Sequence, residues 1–134
     1  MYTIDHLGIA VKSLEAAKQF YRTLGLDVIS EETVPAERVR VAMLPVGESH
    51  IELLEPSAED SPIARFLAKR GEGMHHLALH VEDLAAAVEK LKKGGARFIS
   101  DEIKIGAGGH AYVFVHPASS GGVLLELVSE APKV

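Results

Sequence analysis

GMHHLALHV, residues 73–81, is a near copy of TIDHLGIAV, residues 3–11. Laid over each other at a fixed offset, His76 falls on His6, Leu77 on Leu7, Leu79 on Ile9 and Val81 on Val11. The correspondence continues past the stretch, with Leu84 on Leu14, Ala86 and Ala87 on Ala16 and Ala17, Gly95 on Gly25, Ser100 on Ser30 and Glu102 on Glu32. Agreement of that length marks two copies of one unit.

Outward from the repeat, Ile4 to Val11 alternates: Leu7, Ile9 and Val11 share one face, which reads as core, while His6, Gly8 and Ala10 make a small face carrying one histidine. Ser13 is a helix N-cap. The helix is predicted through Thr23, with Leu14, Ala17, Phe20, Tyr21 and Leu24 at helical spacing and Gly25 as its stop. A second strand is predicted over Leu26 to Ser30, a loop over Glu31 to Arg38, and further strands over Val39 to Leu44 and Ser49 to Glu55. Ser61-Pro62 opens a connector helix that runs to Arg70 and ends at Gly71. The second copy reads as a strand from Met74 to Val81, a helix capped by Asp83 and ended at Gly94-Gly95, and a strand from Ala96 to Ser100. A glycine-rich loop from Lys104 to Gly109 follows, then strands Ala111 to His116 and Val123 to Val128 about the turn Pro117 to Gly122. Residues 131–134 read as loose. The expectation is an α+β fold in a single domain, 1–134: a first βαβββ module at 1–56, a connector helix at 57–72 and a second βαβββ module at 73–130. Their curved mixed sheets are expected to form a metal-containing cleft.

At 134 residues the chain can bury a core without staples. It has no cysteine, which excludes disulfides, thiolate metal sites and cysteine nucleophiles. No apolar run is long enough to span a bilayer and no basic segment leads into an apolar one at the N-terminus, so the expectation is a cytoplasmic protein with no membrane partner. Fourteen Lys and Arg against nineteen Asp and Glu give a net charge of −5 with no basic block. Nucleic acid is therefore disfavoured, because neutralising phosphates takes a clustered positive face. A small anionic ligand remains compatible, since only the field at its pocket matters.

Superimposing the copies singles out four side chains: His6, Glu52, His76 and Glu126. The first strand of each copy carries a histidine on the face opposite its Leu, Ile and Val positions. The last strands, IELLE and LLELV, each carry a glutamate opposite Ile51 and Leu53 or Leu125 and Leu127. A single histidine in a half-buried strand is more often structural than a ligand. A carboxylate among Ile, Leu and Val is different, because burying it unpaired costs several kcal/mol. Recurrence of both types in both copies favours a shared divalent ion, and two imidazoles with two carboxylates suit Co, Ni, Zn or Mn better than Ca or Mg.

Together with the H…E…H…E set, the paired βαβββ pattern resembles the vicinal oxygen chelate superfamily over essentially the whole chain. More narrowly, IDHLGIAV, IELLEP, DSPIARFL, GMHHLAL, KIGAGG and HP followed by GGVLLEL resemble its methylmalonyl-CoA epimerase family. The resemblance implies an isomerase that interconverts the (R) and (S) forms of methylmalonyl-CoA through an enolate, in propionyl-CoA metabolism. It implies a divalent metal (Co, Mn, Ni or Zn) held by His6, Glu52, His76 and Glu126, no organic cofactor, a small-molecule acyl-CoA substrate and a homodimer. Glu126 would be one catalytic base. The family pattern has an acidic residue after the proline of the first-copy loop; here Ala36 follows Pro35, and Glu37 is the shifted candidate for the second base. His50, on the face of Glu52, is a third. Lys104, Gly106 and Gly108 would line the substrate pocket. His75, His80, His110 and His116 read as structural or surface residues, with His75 toward the core.

Two rivals share the fold. A glyoxalase-type lyase acting on thiol hemithioacetals would use the same four ligands, but DSPIARFL and KIGAGG favour the epimerase. A non-catalytic antibiotic-binding member of the same fold is disfavoured by the intact set of four.

Overall fold

Ser13 and Asp83 begin two equivalent helices in the same way. The Ser13 hydroxyl accepts the Ala16 N–H at 3.2 Å, and an Asp83 carboxylate oxygen accepts the Ala86 N–H at 3.0 Å. Each satisfies a donor that the first helical turn leaves without an intrahelical partner. The helices they open are α1, Leu14–Leu24, and α3, Leu84–Lys93. Between them α2, Pro62–Arg70, starts on Ser61, whose fully buried hydroxyl accepts the Ile63 N–H at 3.0 Å. Gly25 ends α1 at φ 103°, a conformation in which a Cβ is strained. The computed structural model describes residues 2–100 and 102–130, so the expectation for 131–134 lies outside the described residues.

Eight strands complete the order: β1 Thr3–Ala10, β2 Ser30–Val34, β3 Val39–Val46, β4 Ser49–Pro56, β5 Gly73–His80, β6 Lys104–Ile105, β7 Ala111–Val115 and β8 Leu125–Ser129. Contacts group the chain into two units, one of His6–His75 and one of residues 76–134 with 1–5. In the first, the strand order is β2-β3-β4-β1, with β1 parallel to β4 and the other pairs antiparallel. The second has the order β5-β8-β7-β6, with β5 parallel to β8 and the others antiparallel. The fold is thus α+β, with two βαβββ modules of mixed sheet.

Each module buries one face of its sheet under its helix. In the first, Leu14 of α1 packs with Val11, Ala42, Leu44 and Leu53, all nearly or fully buried. The second repeats this with Leu84 and Val88 of α3 against Val113, Val115 and Leu127. The opposite face of β1 is buried too: His6, Gly8 and Ala10 are less exposed than Leu7 and Ile9, so the face read as merely small lies inside.

Strand positions differ most from expectation at three places among the described residues. The strand predicted over Leu26 to Ser30 lies at Ser30–Val34, inside the predicted loop. Leu26 and Val28 are drawn into the core beneath α1, and the ladder to β3 begins only where Ile29 N–H reaches the Met43 carbonyl at 2.8 Å. A solvated edge strand of Ser, Glu, Glu and Thr has no apolar alternation to detect. The second-copy strand over Ala96 to Ser100 reduces to a bridge between Phe98 and Val115, because Phe98 turns into the core and the turn's Ser119 hydroxyl takes the Arg97 N–H at 2.9 Å. The predicted loop at Lys104 instead contributes the short β6. On α1, Phe20 and Leu24 keep helical spacing yet are 65% and 68% exposed.

Lys18 has the reverse surprise: its side chain is 10% exposed. Its ammonium bonds Glu15 and Glu31, each at 2.7 Å, which ties α1 to β2. Hydrogen bonds to Glu15 and then Glu31 hold the Lys18 ammonium above its usual range, and the bond to Lys18 holds the Glu15 carboxyl below its own. Farther along, Arg40 bonds one Glu55 oxygen at 2.7 Å while the other accepts the Leu14 N–H at 3.0 Å. A raised Lys pKa stabilises the fold below about 10.4 and loses that effect as pH climbs through the folded value; a depressed Glu pKa stabilises above about 4.3 and loses it as pH falls. Lys18→Met is therefore expected to melt below the parent at neutral pH, and the gap in melting temperature should narrow in both strong base and strong acid. Thermal melts across pH, read by circular dichroism, check this.

Candidate metal centre

In each module the first and last strands run parallel, and the ladder sets the smallest side chains beside the carboxylates. Gly8 is opposite Glu52, and Ala78 is opposite Glu126. Two residues back along each first strand, on the same face, stand His6 and His76. All four functional groups are buried: His6 at 3%, His76 at 6%, and Glu52 and Glu126 at 8% exposure.

Within the first module, His6 Nδ1 lies 3.4 Å from Glu52 Oε2. His50 Nε2 lies 3.2 Å from the same oxygen, and its ring stacks on that of His6 with centroids 5.2 Å apart. His6, His50 and Glu52 each offer a donor atom within 4.8 Å of the others. Within the second module, His76 Nε2 lies 3.1 Å from Glu126 Oε1. Phe114, opposite Glu126 on the ladder, sets its edge against the His76 ring at 5.4 Å, and Tyr112 packs edge-on against Phe114 at 5.8 Å.

These separations suit shared coordination as well as hydrogen bonding, since two ligands at right angles, each about 2.1 Å from an ion, stand about 3 Å apart. Each module thus carries an imidazole and a carboxylate able to ligate a divalent metal. The donors are nitrogen and oxygen with no sulfur, the mixture that borderline first-row ions accept.

The other site expectations fall as follows. Glu37 is half-buried at the end of the 3-10 turn Pro35–Glu37, two residues before Val39. Val39 pairs with Pro56, whereas Glu52 pairs with Met43, four ladder steps or roughly 13 Å along the strand. Lys104 is half-buried on β6 opposite Tyr112. Gly106 and Gly108 flank Ala107 in the turn that follows. A Cβ on Gly106 would come within 2.8 Å of the Tyr112 ring, and Gly108 has φ 66°. His75 meets Phe66 of α2 edge to face at 5.0 Å. His116 Nδ1 accepts the Ala118 N–H at 3.0 Å, and His110 Nδ1 lies 3.2 Å from the Ala107 carbonyl, so both serve turns.

The sequence offers His50 as a third candidate base and not as a neighbour of His6, and it gives no sign of Phe114. The period-2 face shared with Glu52 was a signal for the first. Phe114 had none, because its role depends on cross-strand register.

Comparison with known proteins places these pairs in context. The model of the glyoxalase/bleomycin resistance protein/dioxygenase superfamily matches residues 5–114, and the chain belongs to that superfamily. Within it, the chain is similar to methylmalonyl-CoA epimerases. It is 44% identical to the mitochondrial methylmalonyl-CoA epimerase of Mus musculus, over 92% of this chain and 71% of that one. Identity is 45% to the ethylmalonyl-CoA/methylmalonyl-CoA epimerase of Cereibacter sphaeroides, over 92% and 95%. A Streptomyces coelicolor methylmalonyl-CoA epimerase variant in complex with 2-nitronate-propionyl-CoA superposes with a TM-score of 0.92, at 41% identity over 96% of this chain and 94% of that one.

Tyr112, 4% exposed, has no room to yield to a methyl group at position 106. Gly106→Ala should cost about 1–3 kcal/mol as overpacking, measured by denaturant unfolding, while Gly106→Ala with Tyr112→Leu should recover part of it.

Proposed function

We propose that this chain is a metal-dependent methylmalonyl-CoA epimerase. The observation that carries the reading is the recurrence of one buried His–Glu pair in each βαβββ module, in a chain 45% identical to an ethylmalonyl-CoA/methylmalonyl-CoA epimerase over nearly its whole length. His6, Glu52, His76 and Glu126 together would hold one divalent ion, Co, Mn, Ni or Zn. Bound there, the ion supplies Lewis-acid stabilisation of negative charge developing on the thioester oxygen.

The residues supply the rest. The proton to be moved lies between a thioester carbonyl and a carboxylate, and inversion requires it to leave one face and return to the other. Glu126 takes it on one face. Glu37 carries the proton on the opposite face, and Lys104, with the backbone at Gly106 and Gly108, receives the CoA portion. Among the described residues no helix is long and apolar enough to cross a membrane. A cytoplasmic homodimer working on a freely diffusing acyl-CoA, without nucleic acid or membrane, completes the reading.

Incubation of methylmalonyl-CoA with the protein in deuterium oxide should place deuterium at the α-carbon, as read by NMR or mass spectrometry. Exchange should vanish with a chelator and return with Co2+. No exchange in the metal-loaded protein would reject the epimerase, and turnover of the hemithioacetal of methylglyoxal and glutathione would then support a lyase. Glu126→Gln should lower epimerisation by 10²–10⁴-fold, the usual contribution of a positioned acid-base group. Glu37→Gln should do likewise, and a rate within about twofold of the parent would pass that role to water.

A further inference from the structure

The two modules support their metal-site histidines differently. In the second, Leu124 comes just before the ladder's first residue, Leu125, as His76 comes just before that residue's partner, Leu77, and Phe114 on β7 meets the imidazole edge to face. In the first, Met43 takes the Phe114 position and His50 takes the Leu124 position. His50 stacks on His6 at an interplanar angle of 27°, and its Nε2 stands 3.2 Å from Glu52 Oε2, the oxygen that His6 Nδ1 also approaches. One side chain therefore touches both proposed ligands of its module. Its own side chain is 20% exposed, twice the exposure of Glu52, so it stands at the rim of the pair.

From this geometry we infer that His50 is the positioning residue of the first module: its Nε2–H fixes the Glu52 carboxylate. The inference rests on the metal reading above. Three rotatable bonds leave a glutamate carboxylate many orientations, and most of them aim neither oxygen at a ligand position. A carboxylate oxygen has two lone pairs, so Glu52 Oε2 can accept the His50 N–H with one and serve the ion with the other. Groups that hold a ligand in this manner carry much of a metal site's affinity. Across the ladder Met43 stands opposite Glu52 where Phe114 stands opposite Glu126, so the two modules surround their carboxylates differently.

The second copy supplies the control, because Leu is what it carries at this position. His50→Leu keeps the volume and removes the N–H; His50→Gln keeps an N–H at nearly the same reach and removes the ring. Chelator-treated protein titrated with Co2+ by calorimetry, with the visible absorption of the bound ion recorded, tests the inference without reference to turnover. His50→Leu should weaken Co2+ binding by about 10–100-fold and shift the visible band, whereas His50→Gln should stay within about threefold of the parent. Parent-like affinity and spectrum in His50→Leu would overturn the inference and leave the metal site standing. A loss in His50→Gln as large as in His50→Leu would overturn it too, because donation to Glu52 would then not be the cause. A parent protein that binds no Co2+ would bring down the metal reading itself, a result distinct from the other two.

Discussion

A carboxylate placed inside a strand of Ile and Leu must be met by a donor within reach, and in each module that donor is a histidine two residues before a Gly or Ala on the neighbouring strand. Much else follows from that pairing. The first and last strands have to be parallel and in register, and the residue directly beside the carboxylate has to be small. A slip of one residue would turn Ile51 or Leu125 into the site and drive the charge into the apolar core. The first module resists such a slip through Glu55, three residues from Glu52, whose oxygens are held by Arg40 and by the first backbone N–H of α1. In the second, β8 lies between β5 and β7 and is paired along both sides.

Those features with a local cause could be read directly. Ser13, Ser61 and Asp83 cap where a hydroxyl or carboxylate precedes an apolar period, and Gly25 stops α1 because few other residues accept its φ. The duplicated strand was plain from its repetition. The edge strand Ser30–Val34 could not be read, since a strand of Glu and Thr on a solvated edge has neither alternation nor apolar content. Phe20 and Leu24 misled because periodicity says which residues share a helix face and not how far the neighbouring sheet extends beneath it. Lys18 misled in the opposite sense: its charge marks it as exposed until Glu15 and Glu31 are known to enclose it.

The candidate site divides along the same line. His6, Glu52, His76 and Glu126 stood out because the repeat doubled each signal, and burial with close His–Glu contact in both modules accords with that. His50 has no double, since the second copy carries Leu124, so only the face it shares with Glu52 marks it. Phe114 similarly faces Met43 across the repeat. Where the copies agree, the repeat singles out a pair; where they diverge, only register shows what each residue touches.

The exchange of His50 and Met43 for Leu124 and Phe114 bears on a reaction that runs in both directions. Epimers that differ at one carbon, far from the other stereocentres of CoA, have nearly equal free energies, so a catalyst for their interconversion lowers the same barriers approached from two sides. Unlike surroundings on the two sides leave that equilibrium where the substrates set it. They can divide binding and turnover unevenly, because the Haldane relation ties only the ratio of kcat/KM values and not either constant. A duplicated chain whose copies have drifted apart at ladder positions can thus treat two near-mirror substrates differently while remaining an even-handed catalyst of their exchange.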